Sequence, residues 1–413
     1  MKFSATLCSL TGLVALALAG APIKNDGVSA DITIPESYIV AYKPGVDAAK
    51  RKQHEDAITK KAKKSKKNGV VETISIDKFQ GYVVKISSAE LKDIINSDLI
   101  DYIEKDTIVN ITGVAASHEF DKRAAVTQPN APWGLARISR QAGGNSGRFL
   151  SGYYYDNSGG STARVYVVDT GIRTTHTEFE GRAVWGANFI SGSPNTDEAG
   201  HGTHVAGTIA GKTYGVAKKT TVVAVKVLDK NGSGSFSGVI AGLNWAVNNA
   251  KSRGVARRAV VNMSLGGSYS ASVNAAVRAA TDAGVTVVVS AGNSNDDSTF
   301  YSPASAPTAI TVGAVEATNY RAWFSNYGSY VDIFAPGVGV LSAWHTSTTQ
   351  TMYLAGTSMA APHVAGLAAY FITKENLSGY VAVSNRIFGA SVKNVVADPQ
   401  GSWNRMAYNA LGA

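Results

Sequence analysis

Short apolar runs and helical stretches alternate through the larger, C-terminal part of the chain. Runs rich in valine occur at 221–227, 259–263 and 285–289, and each has the length of one buried strand. Between them, 239–250 and 271–283 have the composition and spacing of helices. Buried strands that alternate with helices predict an α/β fold, with a doubly wound, mostly parallel sheet and helices on both faces.

The N-terminus has the pattern of a secretory signal. Lys2 precedes an apolar run at 7–18, and small residues follow at Ala19 and Ala21. The run is too short to span a bilayer, so it predicts export after cleavage near Ala19. We expect a secreted, extracellular product, although delivery to a vacuole begins with the same kind of signal. The single cysteine, Cys8, lies in this signal, so the exported chain would have no disulfides and would depend on its core.

A lysine cluster lies between two strand-like runs at 37–42 and 81–86, and it comprises Lys60, Lys61, Lys63, Lys64, Lys66 and Lys67. Such a cluster is one signal of nucleic-acid binding. Residues 20–123, however, hold 17 Lys and Arg against 16 Asp and Glu, so this part of the chain is nearly neutral. The balance favours a solvated helix or loop.

Small residues around Ser358 provide the first candidate for catalysis. Gly356 permits a tight turn, and the residues up to Gly366 can pack closely as a helix, with Pro362 expected in its first turn. A serine at a helix N-terminus lies beside free N–H groups, which favour the negative charge formed when the serine attacks a carbonyl. An ordinary alanine-rich core helix has the same composition, so this segment alone does not distinguish a catalytic serine from a core helix.

Two upstream segments supply the partners that a serine nucleophile requires. Asp169 ends an apolar run at the carboxyl end of a predicted parallel strand, where ligands bind in open sheets. His201 lies between two glycines at the start of a second small-residue helix. A zinc site is the alternative, but zincins place two histidines four apart with an adjacent glutamate, and His201 and His204 are three apart. Carboxylate, imidazole and hydroxyl together predict nucleophilic catalysis.

The order of these residues along the chain distinguishes between classes of serine hydrolase. Asp169, His201 and Ser358 follow the order of subtilisin, whereas chymotrypsin-like enzymes and α/β-hydrolases have other orders. A nucleophile elbow would have glycine two residues after the serine, where this chain has Ala360. In these motifs, and in the run at 130–139, the chain resembles the subtilisin-like serine proteases (subtilases), most closely those of the proteinase K family.

The resemblance implies an organisation for the whole chain. Residues 1–19 would be a signal peptide, 20–123 an inhibitor-type propeptide with a small α+β fold, and 124–413 the peptidase domain, with Lys122 and Arg123 just before the mature start. The propeptide would inhibit the enzyme intramolecularly and aid folding, because parallel sheets with non-local pairing fold slowly. Protein and peptide substrates are expected, with no nucleic-acid or membrane partner, and the enzyme is expected to be a monomer. A catalytically inactive subtilase that acts as a binding protein is the alternative, but all the catalytic positions are filled.

The resemblance also implies the roles of individual residues. Ser358 would be the nucleophile, His201 the general base and Asp169 the orienting carboxylate. Asn293, which follows a predicted apolar strand, would donate its amide N–H to the oxyanion together with the backbone N–H of Ser358.

By the same resemblance, a peptide substrate would bind as an added strand between two extended segments. The expected binding residues are Leu228, Gly232, Ser233, Gly234 and Phe236 in one segment, Ser264, Leu265 and Gly266 in the other, and Ser290, Ala291 and Gly292 beside the first pocket. The second segment and the pocket residues contain no carboxylate, which disfavours strict cleavage after Lys or Arg. Broad endopeptidase specificity, with an aliphatic or aromatic residue before the cut, is therefore expected.

One cofactor is implied, a structural calcium ion, and none is implied for catalysis. Its ligands would be the carbonyls of Pro307 and Ala309 and the carboxylate of Asp332, since Ca2+ prefers oxygen ligands. Of the mature sequons, Asn262 lies in a predicted strand and Asn231 in the expected cleft, so Asn376 is the candidate glycosylation site.

Overall fold

The computed structural model describes residues 20–111, 114–115, 128–141 and 152–411. The expected signal peptide at 1–19 and the expected mature start after Lys122 and Arg123 therefore lie outside the described residues. No helix in the described ranges is long and apolar enough to cross a membrane.

The N-terminal domain is a four-stranded antiparallel sheet with two helices on one face. Its elements, in chain order, are β1 (Thr33–Tyr42), α1 (Ala48–Lys64), β2 (Gly69–Ile76), β3 (Phe79–Lys85), α2 (Ser88–Ile95) and β4 (Ile100–Ile111). The strands lie in the order β4-β1-β3-β2. Buried residues such as Val40, Ile58, Tyr82 and Ile94 form its core. The lysine cluster covers the exposed end of α1 and the turn after it, as expected for a solvated helix.

The second domain contains the remaining elements. Its helices are α3 (Trp133–Ile138), α4 (His201–Ala210), α5 (Phe236–Ser252), α6 (Ala271–Asp282), α7 (Thr357–Lys374) and α8 (Tyr380–Ala390). Its strands follow β5 (Val114–Ala115) and are β6 (Arg164–Asp169), β7 (Ala183–Asn188), β8 (Thr221–Lys226), β9 (Ser233–Ser235), β10 (Ala259–Met263), β11 (Leu265–Ser268), β12 (Thr286–Ser290), β13 (Tyr301–Ser302), β14 (Ile310–Val315), β15 (Ile333–Pro336), β16 (Val340–Ala343), β17 (Thr351–Ala355), β18 (Val392–Lys393) and β19 (Arg405–Met406).

The central sheet has the order β18-β19-β15-β14-β12-β10-β6-β8-β7. Every neighbouring pair in it is parallel except β18 and β19. Along β6, Val165 and Val167 belong to the apolar core that contains α4 and α7, whereas Tyr166 and Val168 belong to the core that contains α5 and α6. The predicted doubly wound sheet with helices on both faces is confirmed.

Strand β6 lies at the switch point of this sheet. The chain runs from β6 to β7 and β8 on one side, and β10 then pairs with β6 on its other side. Connections that leave in opposite directions open a crevice at the carboxyl end of such a strand. Asp169 is the last residue of β6, so it lies at this crevice.

The N-terminal domain docks on α5 and α6 with the open face of its sheet. Ile39, Ile74, Ile76 and Val83 share one apolar core with residues of both helices. Strand β4 then continues into the second domain and pairs with β9 and β11. The two domains are therefore joined by an apolar interface and by a shared sheet.

Candidate active site

Asp169 and His201 form a buried pair at the crevice. His201 is the first residue of α4, and its Nδ1 lies 2.8 Å from Oδ1 and 3.0 Å from Oδ2 of Asp169. The carboxylate also accepts a hydrogen bond from the Thr170 backbone N–H at 2.7 Å. Because Nδ1–H donates to the carboxylate, Nε2 is left as the basic nitrogen. Nε2 is buried and has no hydrogen-bond partner among the described residues.

Ser358 is the second residue of α7, and Ser264 contacts it twice. The Ser358 hydroxyl donates to the Ser264 carbonyl at 3.0 Å, and the Ser264 hydroxyl donates to the Ser358 carbonyl at 2.9 Å. The amide of Asn262 in turn donates to the Ser264 hydroxyl at 3.0 Å. In this state the Ser358 hydroxyl is hydrogen-bonded to the backbone of the segment that contains Ser264.

The position of Pro362 explains why the Ser358 carbonyl can accept a hydrogen bond from the Ser264 hydroxyl. We expected this proline in the first helical turn, but α7 begins at Thr357, so Pro362 lies in the second turn, and that expectation was wrong. A proline has no N–H to donate to the carbonyl four residues earlier, which here is that of Ser358. The Ser264 hydroxyl supplies the missing donor.

Asn293 is oriented by Thr357, the residue that precedes the serine. Its amide oxygen accepts hydrogen bonds from the Thr357 backbone N–H at 2.9 Å and from the Thr357 hydroxyl at 2.8 Å. The Thr357 hydroxyl also accepts from the Gly292 N–H at 3.1 Å. With its oxygen engaged, Asn293 presents its NH2 group as the donor. The sequence did not indicate this part for Thr357.

The two extended segments hold a strand between them, and in this structure the strand is the end of β4. Val109 and Asn110 pair with Gly234 and Ser233 on one side, while Asn110 and Ile111 pair with Gly266 and Leu265 on the other. The Ile111 N–H also donates to the Gly232 carbonyl at 3.0 Å. The chain's own N-terminal domain thus occupies the cleft where a peptide was expected to bind.

The side chain of Val109 is buried in the wall of this cleft. It shares one apolar core with Leu228 and Phe236, both of which are also fully buried. At Gly234 an added Cβ would lie 2.3 Å from the Val227 carbonyl oxygen, so only glycine fits there. These residues surround the apolar side chain of Val109.

A pocket of about 230 Å3 lies beside this strand. Ser290, Ala291, Gly292 and Asn293 line it together with other residues of the second domain, such as Gly266, Tyr301 and Ala304, and the N-terminal domain contributes Ile32, Ile108 and Asn110. All of its lining residues are uncharged. The pocket therefore offers no partner for a charged side chain.

The alternative zinc site has no support in the positions of the histidines. His204 Nε2 lies 3.0 Å from the carbonyl oxygens of both Val340 and Met352, so it acts as a donor. Burial lowers the pKa of His204 to about 3, which keeps it neutral. Among the described residues, no three His, Cys, Asp or Glu side chains are grouped so that they could hold a metal.

The expected calcium ligands lie at the edges of β14 and β15. Pro307 and Ala309 come just before β14, and Asp332 comes just before β15. Asp332 Oδ2 accepts a hydrogen bond from the Thr311 N–H at 2.9 Å, and burial raises the pKa of this carboxyl to about 7. Asp332 is half-buried and has no ion pair in the described ranges, and a carboxylate oxygen is a ligand type that suits a hard cation.

Two acidic residues of β4 hold the N-termini of the helices under the docked domain, and sequence reasoning missed both. Glu104 accepts hydrogen bonds from the Ser270 hydroxyl and from the backbone N–H groups of Ala271 and Ser272 at 2.8 to 3.0 Å, at the start of α6. Asp106 accepts from the Ser237 N–H and hydroxyl at 3.0 and 2.6 Å, at the start of α5. Each carboxylate satisfies free N–H groups of a helix N-terminus.

Comparisons with known proteins agree with this arrangement. Residues 160–400 match the subtilase family (Peptidase S8), and residues 37–112 match the peptidase inhibitor I9 family. Subtilisin-like protease 2 of Pseudogymnoascus destructans is 48% identical over 100% of both chains. Alkaline protease 1 of Aspergillus oryzae is 42% identical over 97% of each chain. A cuticle-degrading protease of Metarhizium anisopliae is 43% identical over 92% of this chain and 91% of its own.

Among solved structures, a cold-adapted subtilisin-like serine proteinase matches with a TM-score of 0.63 and 41% identity, over 68% of this chain and 98% of that one. The chain therefore belongs to the subtilase family of serine proteases. It is a subtilisin-like serine endopeptidase, and its I9-type N-terminal domain is an intramolecular inhibitor of that enzyme.

Proposed function

We propose that the processed chain is a secreted serine endopeptidase of broad specificity, which cuts peptide bonds through Asp169, His201 and Ser358. The observation that carries the proposal is the buried Asp169–His201 pair at the switch point of the sheet, with a strand already bound in the adjoining cleft. Secretion is proposed from the N-terminal signal pattern.

In the first step, the Ser358 hydroxyl turns from the Ser264 carbonyl to His201 Nε2 and gives its proton to that nitrogen. Its oxygen bonds to the carbonyl carbon of the substrate, and the carbonyl oxygen becomes an oxyanion. The Asn293 NH2 group and the Ser358 backbone N–H donate to that oxygen. Such contacts often tighten only when substrate is present, so the hydroxyl geometry of this state is compatible with the step.

In the second step, His201 donates the proton to the leaving amine, the C–N bond breaks, and an acyl-enzyme on Ser358 remains. Water then gives a proton to His201, adds to the acyl carbon and releases the new carboxylic acid as the proton returns to Ser358. Asp169 stays ionised throughout, holds the imidazole in one tautomer and stabilises the imidazolium.

The specificity proposal rests on the cleft. Backbone pairing with β9 and β11 grips any extended peptide regardless of its sequence. The uncharged pocket and the apolar subsite around Leu228 and Phe236 favour aliphatic or aromatic side chains. Since such pockets discriminate weakly between apolar residues, broad specificity follows.

We also propose a bound calcium ion and one glycan. The carbonyls of Pro307 and Ala309 and the carboxylate of Asp332 would hold the ion, which would link the starts of two sheet strands and take no part in the chemistry. Asn376 is exposed just after α7, whereas Asn262 is fully buried, which supports Asn376 as the glycosylation site.

The experiment that tests the proposed function is replacement of Ser358 by alanine. We expect S358A to lose casein hydrolysis almost completely, because acylation has no other nucleophile, while its circular dichroism matches that of the wild type. Ordinary turnover by the folded variant would refute the assignment.

A further inference from the structure

A second set of contacts joins the Asp169 and His201 segments, independent of the hydrogen bond between the two side chains. Its centre is Thr170, the buried residue that follows Asp169. The Thr170 hydroxyl accepts a hydrogen bond at 2.9 Å from the N–H of Gly202, the residue that follows His201. The hydroxyl therefore links the end of β6 to the first turn of α4.

Asp197 holds this link from the α4 side. Its Oδ1 accepts from the Thr170 hydroxyl at 2.8 Å and from the Gly200 N–H at 2.8 Å. Its Oδ2 accepts from the N–H and the hydroxyl of Thr203 at 2.9 and 2.6 Å. Asp197 is 3% exposed and has no ion pair among the residues that the structure describes. It is thus a buried carboxylate held by neutral donors.

The N-terminus of α4 depends on this carboxylate because its own cap residue cannot serve. The cap is Gly200, which has no side chain and a φ of 94°. An added Cβ at Gly200 would lie 2.6 Å from the rings of Trp344 and His345, so a Ser or Asp cap cannot replace it. Asp197, three residues earlier, performs the capping role.

Lys226 holds the link from the sheet side. Its Nζ is fully buried and donates to the Thr170 carbonyl at 2.8 Å and to the Leu228 carbonyl at 3.0 Å. Glu198, at 3.7 Å, is the nearest acidic side chain. Thr170 is therefore fixed by a buried anion at its hydroxyl and by a buried cation at its carbonyl.

We propose that Asp197 and Lys226 are positioning residues for catalysis, which act through Thr170 to hold Asp169 and His201 in register. This inference rests on the proposed function. A displacement of about 1 Å in a catalytic group can cost about a hundredfold in rate, so two buried charges that fix this register have a direct effect on turnover.

The two charges should also influence protonation of the base, with opposite signs. The titratable and charged groups around the start of α4, from every packed element, are Asp169, Arg173, Asp197, Glu198, His204, Lys226 and His345. Removal of the Asp197 charge takes an anion away from the imidazolium, which favours the neutral base at lower pH. Removal of the Lys226 charge has the reverse effect.

The first test compares T170V with T170S, since valine keeps the shape without the hydroxyl and serine keeps the hydroxyl. We expect kcat of T170V to fall by about a hundredfold with little change in KM, and T170S to retain most of the activity. Rates are normalised to the number of sites that react with a sulfonyl fluoride, so that misfolded protein does not count. Equal activity of T170V and the wild type would overturn the inference.

The second test compares the pH profiles of kcat/KM for D197N and K226M. We expect the acid limb to move to lower pH in D197N and to higher pH in K226M. D156N is the matched control, because Asp156 also accepts from a neighbouring N–H and hydroxyl, those of Ser158, but is only partly buried. Shifts of the same sign in both variants, or unshifted profiles, would overturn the inference. Loss of sulfonyl labelling in the wild type would instead refute the proposed function, so the two failures are distinguishable.

Discussion

In two of the proposed catalytic side chains, a neighbouring residue forms a hydrogen bond with the polar atom that takes no part in the reaction. Asp169 accepts a hydrogen bond from Nδ1 of His201, so Nε2 remains as the base. Thr357 donates two hydrogen bonds to the amide oxygen of Asn293, so the NH2 group of Asn293 remains as the donor. Groups that are fixed before substrate binds pay no reorganisation cost in the transition state.

We predict that N293A lowers kcat by about 10²- to 10³-fold and leaves KM nearly unchanged, because the lost donor acts only on the oxyanion. That magnitude is the one measured for such a donor in subtilisin, a relative of this enzyme. Steady-state kinetics on a chromogenic peptide would measure it, with N157A as the control at an exposed asparagine outside the site. A wild-type kcat for N293A would contradict the oxyanion role.

For individual residues, the sequence indicated the reactive side chains but not the neighbouring residues that orient them. Asp169, His201, Ser358 and Asn293 each lie at or close to one end of an element with a recognisable pattern. In contrast, Pro362 leaves the Ser358 carbonyl without its helical N–H donor, and this effect depends on the residue at which α7 begins. A shift of a few residues in a helix start is beyond what composition determines.

At the scale of elements, helix N-termini control both the catalytic site and its inhibition. Helices α4 and α7 begin with His201 and Thr357 at the crevice, while α5 and α6 begin under the docked domain. Glu104 and Asp106 satisfy the free N–H groups of the second pair. Release of the I9-type domain therefore exposes two helix ends to water.

We predict that E104Q weakens docking of the inhibitor domain by about 1–3 kcal/mol, because an amide presents one acceptor where three donors now bind a carboxylate. The measurement is denaturant unfolding of the full chain in the S358A background, in which the enzyme cannot cut its own chain. D101N is the control, since Asp101 is exposed on the same strand. Equal stability of E104Q and D101N would contradict the capping role.

The long elements were predictable, whereas the short cleft strands were not. The expected strand at 259–263 coincides with β10, and the expected helix at 271–283 ends one residue beyond α6. Strands β9 and β11 consist of only Ser233–Ser235 and Leu265–Ser268, which are too short for a periodic pattern. Pairing defines them as strands: β9 pairs with β4, and β11 pairs with β4 and β13.

At the scale of the whole molecule, one chain supplies a protease and the strand that fills its cleft. The cleft lies where the sheet topology reverses, at the carboxyl end of β6, so its place follows from the fold. The position of the N-terminal domain does not follow from its own sequence pattern. It depends on how the apolar face of its sheet, including β4, packs on α5 and α6.

We predict that removal of calcium lowers the thermal stability of the processed enzyme. A ligand present at a hundred times its Kd stabilises the folded state by about 2.7 kcal/mol, which corresponds to a shift of several degrees in Tm. The measurement is differential scanning calorimetry with calcium and with a chelator. D332N should lose most of this difference, and a wild-type Tm that is insensitive to calcium would contradict the proposed site.

The most direct measurement for the central claim is reaction of the processed enzyme with a serine-directed sulfonyl fluoride, followed by mass spectrometric mapping of the adduct. We predict one adduct, on Ser358, and loss of casein hydrolysis in proportion to labelling, with S358A unlabelled. An adduct on another residue, or full activity after complete labelling, would contradict it.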